Sequence, residues 1–361
     1  MEIEWKPYDK IPYQIESSAK AASTSWVVTE KIHGAHMAVV CNSSLDVSFA
    51  KRSRLLAHDE SFFQYQRISE NLSESVKKLW VEIVANVRES PAPTGPGSLD
   101  IESGQSGNQR DFGLTLVSVH GELFGGYYPH PSLVAHSATG LKPVQTGLWY
   151  SPNLHFVVYD IAVYHRDTMH WLPYEDTLRL ADSAGFLVLK PLFVGSQAQA
   201  MSFSTRFSSF LPEQLGLPSL NDTVAITGSG AKRKGKTSKQ PEAIINLAEG
   251  IVVRPLSSDE RTLVKIKNAE FAEIGDEVDF DSMGRTDIGF ILARINKNRI
   301  AAARSKTGGA DDVEDGQVID AVVDDVVTEI CSEGNASLLA RVAALTPEES
   351  IAIRDYTQSL L

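Results

Sequence analysis

The chain has 361 residues, 42% of them hydrophobic, and a formal net charge of −12 with a pI near 5.3. That length supports a real core and about two domains of roughly 150 residues each, while the acidic balance excludes a bulk electrostatic grip on nucleic acid, so any such binding needs a local basic surface. The two cysteines, Cys41 and Cys331, are far apart and have no Cys-x-x-Cys partner, which argues against a disulfide scaffold or a zinc site and fits a reducing compartment.

In chain order, the first residues, MEIEWKPYDKIPY, carry acidic side chains and no apolar leader core. Residues 26–52 read as short strands, WVVTEKIHG, AHMAVVC and DVSFAKRS, which are β-branched or aromatic and separated by turn residues. Residues 61–89 carry apolar positions at helical spacing between charged faces. Residues 90–113 are rich in Pro, Gly and Ser and read as a loop. Strands resume at LTLVSVHGELFGG and HFVVYDIAVY, and YEDTLRLADSAGF reads as a helix with Gly185 as its C-cap. A second polar insertion, 221–242, precedes the strand-like EGIVVRP and RTLVKIKNAEF. From about residue 283 the pattern is helical, and Thr346 with Glu348 and Glu349 suggests a capping box. The expected fold is α+β, antiparallel sheets with flanking helices over residues 1–280, followed by a small all-helical domain over 283–361. No run of about 18 apolar residues exists, so no membrane partner is expected and the default is an intracellular, cytoplasmic monomer.

The polar residues inside these strands are oddly placed. Lys31 follows an apolar run and precedes His-Gly. Glu122 lies between His-Gly and Leu-Phe, Asp160 ends an apolar run, and Glu249 and Arg254 bracket IVV. Lys265 and Lys267 alternate within LVKIKN and so project from one strand face. One such charge reads as a satisfied ion pair. Several in one domain need partners or a ligand, because a desolvated charge is costly alone.

The order EKIHG, AKR, GELFGG, FVVYDI, EGIVVRP, VKIKN resembles the collinear motifs of covalent nucleotidyltransferases, and the Lys-x-His-Gly of Lys31–Gly34 resembles the RNA ligase 2 and RNA-editing ligase family. The resemblance spans roughly residues 26–275, and the helical tail is similar to that family's C-terminal domain. It implies an ATP-dependent RNA ligase with Mg²⁺ or Mn²⁺ as cofactor and RNA ends, or a nicked duplex, as partner; the alternatives are a DNA ligase or mRNA guanylyltransferase of the same fold, or a non-catalytic RNA-binding protein. Lys31 would attack the α-phosphate of ATP, with Lys265 and Lys267 binding its oxygens. Glu30, Ile32, Gly34, Arg52, Glu122, Tyr159, Glu249 and Arg254 would complete the nucleotide site. Within it Gly34 allows a tight turn, Arg52 holds phosphate, Glu122 takes the ribose hydroxyls and Tyr159 stacks on adenine. Glu249 and Asp160 would support the metal. A departure is His36, where a small amide is expected. His33 and His36 also form H-x-x-H, yet lack a third metal ligand nearby.

A competing motif is GAKRKGKT, residues 230–237, which matches a P-loop letter for letter. The segment after it is a poor helix, with Pro241 near its start and Gly250 soon ending it, and no parallel βαβ series surrounds it. A solvated basic loop, or one whose Lys232, Arg233, Lys234, Lys236 and Lys239 meet RNA phosphates, fits better.

Overall fold

The computed structural model describes residues 5–9, 11, 24–89, 113–130, 132–133, 140–165, 168–220, 246–258, 261–271, 288–292, 294–307, 314–332 and 336–361. The insertion at 221–242 with its P-loop-like motif, all of 90–113 but Gly113, and the 280–283 boundary lie outside the described residues.

Strands β1 (Trp26–Glu30), β2 (Ala35–Asn42) and β3 (Val47–Lys51) open the fold. Helix α1 begins at Gln66 and runs to Glu89, later than its sequence pattern suggests. Phe63 and Gln64 take φ values of 49° and 55°, which a right-handed helix does not accept. Two long strands follow, β4 (Leu114–Tyr127) and β5 (Ser151–His165), then β6 (Thr168–Trp171). Helix α2 (Tyr174–Ala184) ends where Gly185, at φ 90°, turns its N–H onto the carbonyls of Ala181 and Asp182. Short pieces come next: β7 (Leu187–Val188), β8 (Phe193–Gly195), α3 (Gln197–Met201) and α4 (Leu211–Gln214). Strands β9 (Gly250–Pro255) and β10 (Val264–Lys267) and a 3₁₀ turn at Ala269–Phe271 complete this part.

Two sheets result. The larger has the order β3-β2-β4-β5-β6, with β7 parallel to β5 at its side; the smaller has the order β10-β9-β1-β8 and is antiparallel throughout. Period-2 alternation gives each sheet an apolar outer face. On the larger sheet Met37, Val39, Val119, Leu123 and Ile161 pack under Val76 and Leu79 of α1 and Leu180 of α2. On the smaller sheet Trp26, Val28, Ile251, Val253 and Val264 pack with Ala200 of α3 and with Phe203 and Phe207. Each fully buried side chain of this size contributes roughly 1.5–3 kcal/mol. The opposite faces carry His36, Glu122, Arg254, Lys265 and Lys267 beside buried Val27, Ala38 and Val40, and the polar residues gather in a cleft at one end.

Glu30 ties the end of β1 to a loop at the rim of the smaller sheet. Its side chain is buried, and Oε2 accepts the N–H of Phe210 at 2.9 Å. The same loop is held at Thr205 by Asn268, which also reaches the Ala248 carbonyl. Ala248 N–H donates to Phe207, and Ser209 N–H to Asn246. Burial pushes the Glu30 carboxyl up to about 7, against hydrogen bonds from Ser209 and from the Phe210 and Leu211 amides.

Helices α5 (Gly289–Leu292), α6 (Lys297–Thr307), α7 (Asp315–Ser332), α8 (Ala336–Ala343) and α9 (Pro347–Leu360) form the tail. The expected capping box is present: the Thr346 hydroxyl accepts the Glu349 N–H and the Glu349 side chain accepts the Thr346 N–H. Ile291, Ile300, Val318, Val322, Val326, Ile330 and Ile353 make a cluster that shares no residue with the sheet cores. Arg299 is fully buried there, with Nη1 at 2.8 Å from Asp325 and Nη2 at 2.5 Å from Glu329.

Two outcomes follow from these buried charges. Arg299→Ala leaves Asp325 without this cation and Glu329 with only Arg294 at 3.7 Å, and should cost about 3–5 kcal/mol, read as an earlier denaturant midpoint and faster hydrogen exchange within 288–361. Glu30 has a folded pKa of about 7, above its unfolded value, so its contribution is fully present below about 4.3 and is lost as pH rises through 7. The Tm of Glu30→Gln should therefore gain on that of the parent as pH is raised from 5 to 8; a constant difference would contradict this account.

Candidate active site

The pleat of the smaller sheet assigns faces without ambiguity. Ile251, Val253 and Val264 point outward, so Val252, Arg254, Lys265 and Lys267 point into the cleft. In register, Lys265 lies opposite Val252 and Lys267 opposite Gly250. Lys31 follows β1 directly and its N–H donates to the Gly250 carbonyl at 2.9 Å. Gly250 has φ 153°, and a Cβ there would lie 2.0 Å from the Ile266 carbonyl oxygen. A side chain at 250 would thus force β10 and its lysines away from Glu249.

Glu249 is the point of convergence. Lys31 Nζ lies 2.7 Å from Oε2, His33 Nδ1 lies 3.3 Å from the same oxygen, and Lys267 Nζ lies 3.1 Å from Oε1. Burial opposes the charge on Glu249, but Lys31, Lys267 and His33 outweigh it and hold the carboxyl well below the usual carboxylate range. His33 is itself fixed, its N–H donating to the Tyr150 hydroxyl at 2.8 Å and its ring meeting Phe271 edge-on.

The larger sheet supplies the opposite wall. His36 and Glu122 are cross-strand partners on β2 and β4, on the face away from Met37 and Leu123. Gly34 lets the turn after Lys31 press on β4: an added Cβ would lie 2.3 Å from the Leu123 carbonyl oxygen and 2.8 Å from Glu122 Cγ. The Gly34 N–H hydrogen-bonds the Glu122 carboxyl, and its carbonyl accepts from Gln145 at 3.3 Å. Burial pushes the Glu122 carboxyl up to about 7; Lys31 and Arg52 pull it down, while Glu249 adds to the rise. A β-bulge between His120 and Gly121 leaves Tyr159 as the extra residue of β5. The Tyr159 hydroxyl bonds His36 Nδ1, and the charge of Arg52 is felt by His36, Glu122 and Tyr159 alike.

Asp160 and Arg254 stand apart from the Glu249 group. Asp160 Oδ1 accepts from Arg254 at 2.6 Å, and Oδ2 accepts from Arg261 at 3.1 Å and from the Tyr8 hydroxyl. Burial raises the Asp160 carboxyl, but Arg254 and Arg261 prevail and hold it low. Arg254 also donates to the Tyr159 carbonyl at 2.9 Å and lies over the Tyr174 ring. With both oxygens facing guanidinium groups, Asp160 is a brace between the two sheets.

Of the residues expected at the nucleotide, Lys31, Ile32, Gly34, Arg52, Glu122, Tyr159, Glu249, Lys265 and Lys267 border the cleft or its closing turn, whereas Glu30 faces the Phe210 loop. Sequence reasoning passed over Tyr8, His120, Tyr150 and Arg261. Tyr8 is buried against His36, His120, Tyr159 and Trp171, and no periodic pattern marks it. Among the described residues no three His, Cys, Asp or Glu side chains converge as a ready metal cage. A Mg²⁺ that arrives with phosphate keeps most of its ligands as water and phosphate, so one carboxylate, Glu249, would be enough to hold it here.

A family model described as RNA ligase matches residues 24–267, well over half of the chain and the whole of this cleft. Mitochondrial RNA-editing ligase 2 of Trypanosoma brucei brucei is 26% identical over 207 residues, covering 53% of this chain and 44% of that protein. Mitochondrial RNA-editing ligase 1 of the same organism is 24% identical over 307 residues, covering 75% and 56%. The chain thus spans about half the length of these curated relatives. Solved structures of Naegleria gruberi RNA ligase align at low similarity: the one with PPi at 13% identity and TM-score 0.35, covering 74% of this chain and 63% of that one, and a mutant with ATP and Mn at 14% and 0.34, covering 70% and 52%. The family match runs from the strand before Lys31 to Lys267, the two ends of the converging charge group, and the chain belongs to the RNA ligase family.

Proposed function

We propose that the protein is an ATP-dependent RNA ligase that joins 3′-hydroxyl and 5′-phosphate ends, at nicks in duplex RNA, through a lysyl-AMP on Lys31 and an RNA-adenylate. The observation that carries this is the shared Glu249 carboxylate, which holds Lys31 and Lys267 within 2.7 and 3.1 Å on one side of the cleft. The curated relatives, both named RNA-editing ligases, support the choice of RNA as acceptor.

In this scheme Lys31 Nζ attacks the α-phosphorus and pyrophosphate leaves. The amine must lose a proton to solvent before it attacks, and the Glu249 carboxylate in contact with it positions Nζ in the cleft. Lys265 and Lys267, projecting from one face of β10, hold the α-phosphate oxygens as negative charge grows on them. Glu122 accepts the ribose hydroxyls and Tyr159 stacks on the base, presented by its bulge. Arg52 holds phosphate, on ATP and then on the RNA 5′ end. The divalent ion, carried in with the phosphates and held by Glu249, would offset the charge of the leaving pyrophosphate. Asp160 and Arg254 keep the cleft walls at a fixed spacing. Residues 1–280 carry these groups, and 283–361 form a separate domain that grips the RNA.

The protein should become labelled from ATP carrying label at the α-phosphate, with the adduct on Lys31 by peptide mapping. Lys31→Ala should show none, and Lys267→Ala or Glu249→Gln should slow labelling by about 10²-fold or more. Transfer of label from GTP in place of ATP would move the assignment to a capping-type guanylyltransferase. A chain ending before residue 283 should still be labelled but seal nicked RNA poorly; unimpaired sealing would refute the role given to the tail.

A further inference from the structure

We propose that Phe210 is a stacking platform for a base of the RNA flanking the junction to be sealed; this rests on the ligase reading above. Phe210 is 47% exposed. Its ring is stacked on Phe207, with centroids 5.4 Å apart and planes at 26°. Phe207 meets Phe203, and Phe203 meets Phe193, so the ladder is rooted in the outer core of the smaller sheet. One face of the Phe210 ring is therefore held by protein.

The loop bearing it is tied to all three strand ends that deliver the catalytic charges. Glu30, next to Lys31, binds the Phe210 N–H. Asn246 and Ala248, just before Glu249, bind Ser209 and Phe207. Asn268, next to Lys267, binds Thr205. A ring so anchored has little freedom to lose on meeting a ligand. At the sheet edge that delivers the charges of the cleft, a rigid aromatic face suits a nucleobase, since every base offers a π-face whatever the sequence.

The test compares the full chain with Phe210→Ala, Phe210→Leu and Phe210→Trp, using anisotropy on a fluorescent nicked RNA duplex and, in parallel, lysyl-adenylate formation without RNA. Phe210→Ala should weaken RNA binding about 5- to 100-fold. Phe210→Trp should bind like the parent, Phe210→Leu should bind like Phe210→Ala, and adenylation should stay within about twofold in all three, because the Glu30 contact is to the backbone amide. Full binding by Phe210→Leu would overturn the platform and indicate an apolar cover by polypeptide. Loss of adenylation in step with RNA binding would reduce Phe210 to a support for Lys31. Unchanged binding by Phe210→Ala would also refute it while leaving the ligase reading intact, whereas a parent protein that neither binds nor seals nicked RNA would end both.

Discussion

One buried carboxylate sets the geometry of the cleft. Glu249 is 4% exposed at its side chain and ionised, a state that survives desolvation because Lys31, Lys267 and His33 surround it. Those partners come from the ends of β1 and β10 and from the turn after β1. The strand order β10-β9-β1 is what makes them neighbours, with the residue before β9 in the middle. Gly250 completes the arrangement by admitting β10 to a distance that any Cβ would forbid. Chemistry and topology are thus the same constraint: a shift of either flanking strand would leave a charge buried without its partner.

A second buried carboxylate does a different job. Asp160 joins β5 of the larger sheet to Arg254 on β9 of the smaller and to Arg261 before β10. The two sheets meet through this ion pair and through an apolar cluster in which Ile32 and Leu211 pack with Phe124 and Val157 of the larger sheet. Around Lys31 the space is polar, with Glu249, His33, Lys267 and Glu122 close by. Glu122 shows what that environment does to a group with weaker compensation. Its carboxyl rises to about 7, because neither Lys31 nor Arg52 offsets its burial fully. Two carboxyls in one cleft, one held ionised and one near its titration point, are suited to different tasks.

Much of this was legible in the sequence because it follows local rules. The alternation of Lys265 and Lys267, the Gly185 cap and the Thr346 capping box each depend on spacings of a few residues, and all three appear as read. What failed to show depends on distant partners. Asp160 meets Arg254 and Arg261 across 94 and 101 residues, and Tyr8 across 152. No window of sequence reveals that both oxygens of Asp160 face guanidinium groups. The pieces from Leu187 to Gln214 are too short to carry a period, so β7, β8, α3 and α4 had no signature. The direction of the Glu30 side chain was hidden for a related reason. Its neighbour Lys31 faces the cleft, and strand alternation sends the residue before it the other way, toward Phe210.

The charge balance of the whole molecule gives the cleft a further property. A net charge of −12 repels a polyanion at long range, and salt confines any local attraction to roughly 8–10 Å. Lys31, Lys265, Lys267 and Arg52 are therefore felt only by a phosphate already at the cleft mouth. On the proposed function, this disfavours nonspecific adhesion of nucleic acid elsewhere on the surface, where basic proteins lose selectivity. Affinity for RNA must then come from contacts that act at short range, among them phosphate in the cleft and the grip of the helical tail. An acidic ligase is in this sense a geometric reader of ends. It gains little from the length of a polyanion, and most from a terminus that can place its phosphate beside Glu249 and its bases against a fixed surface.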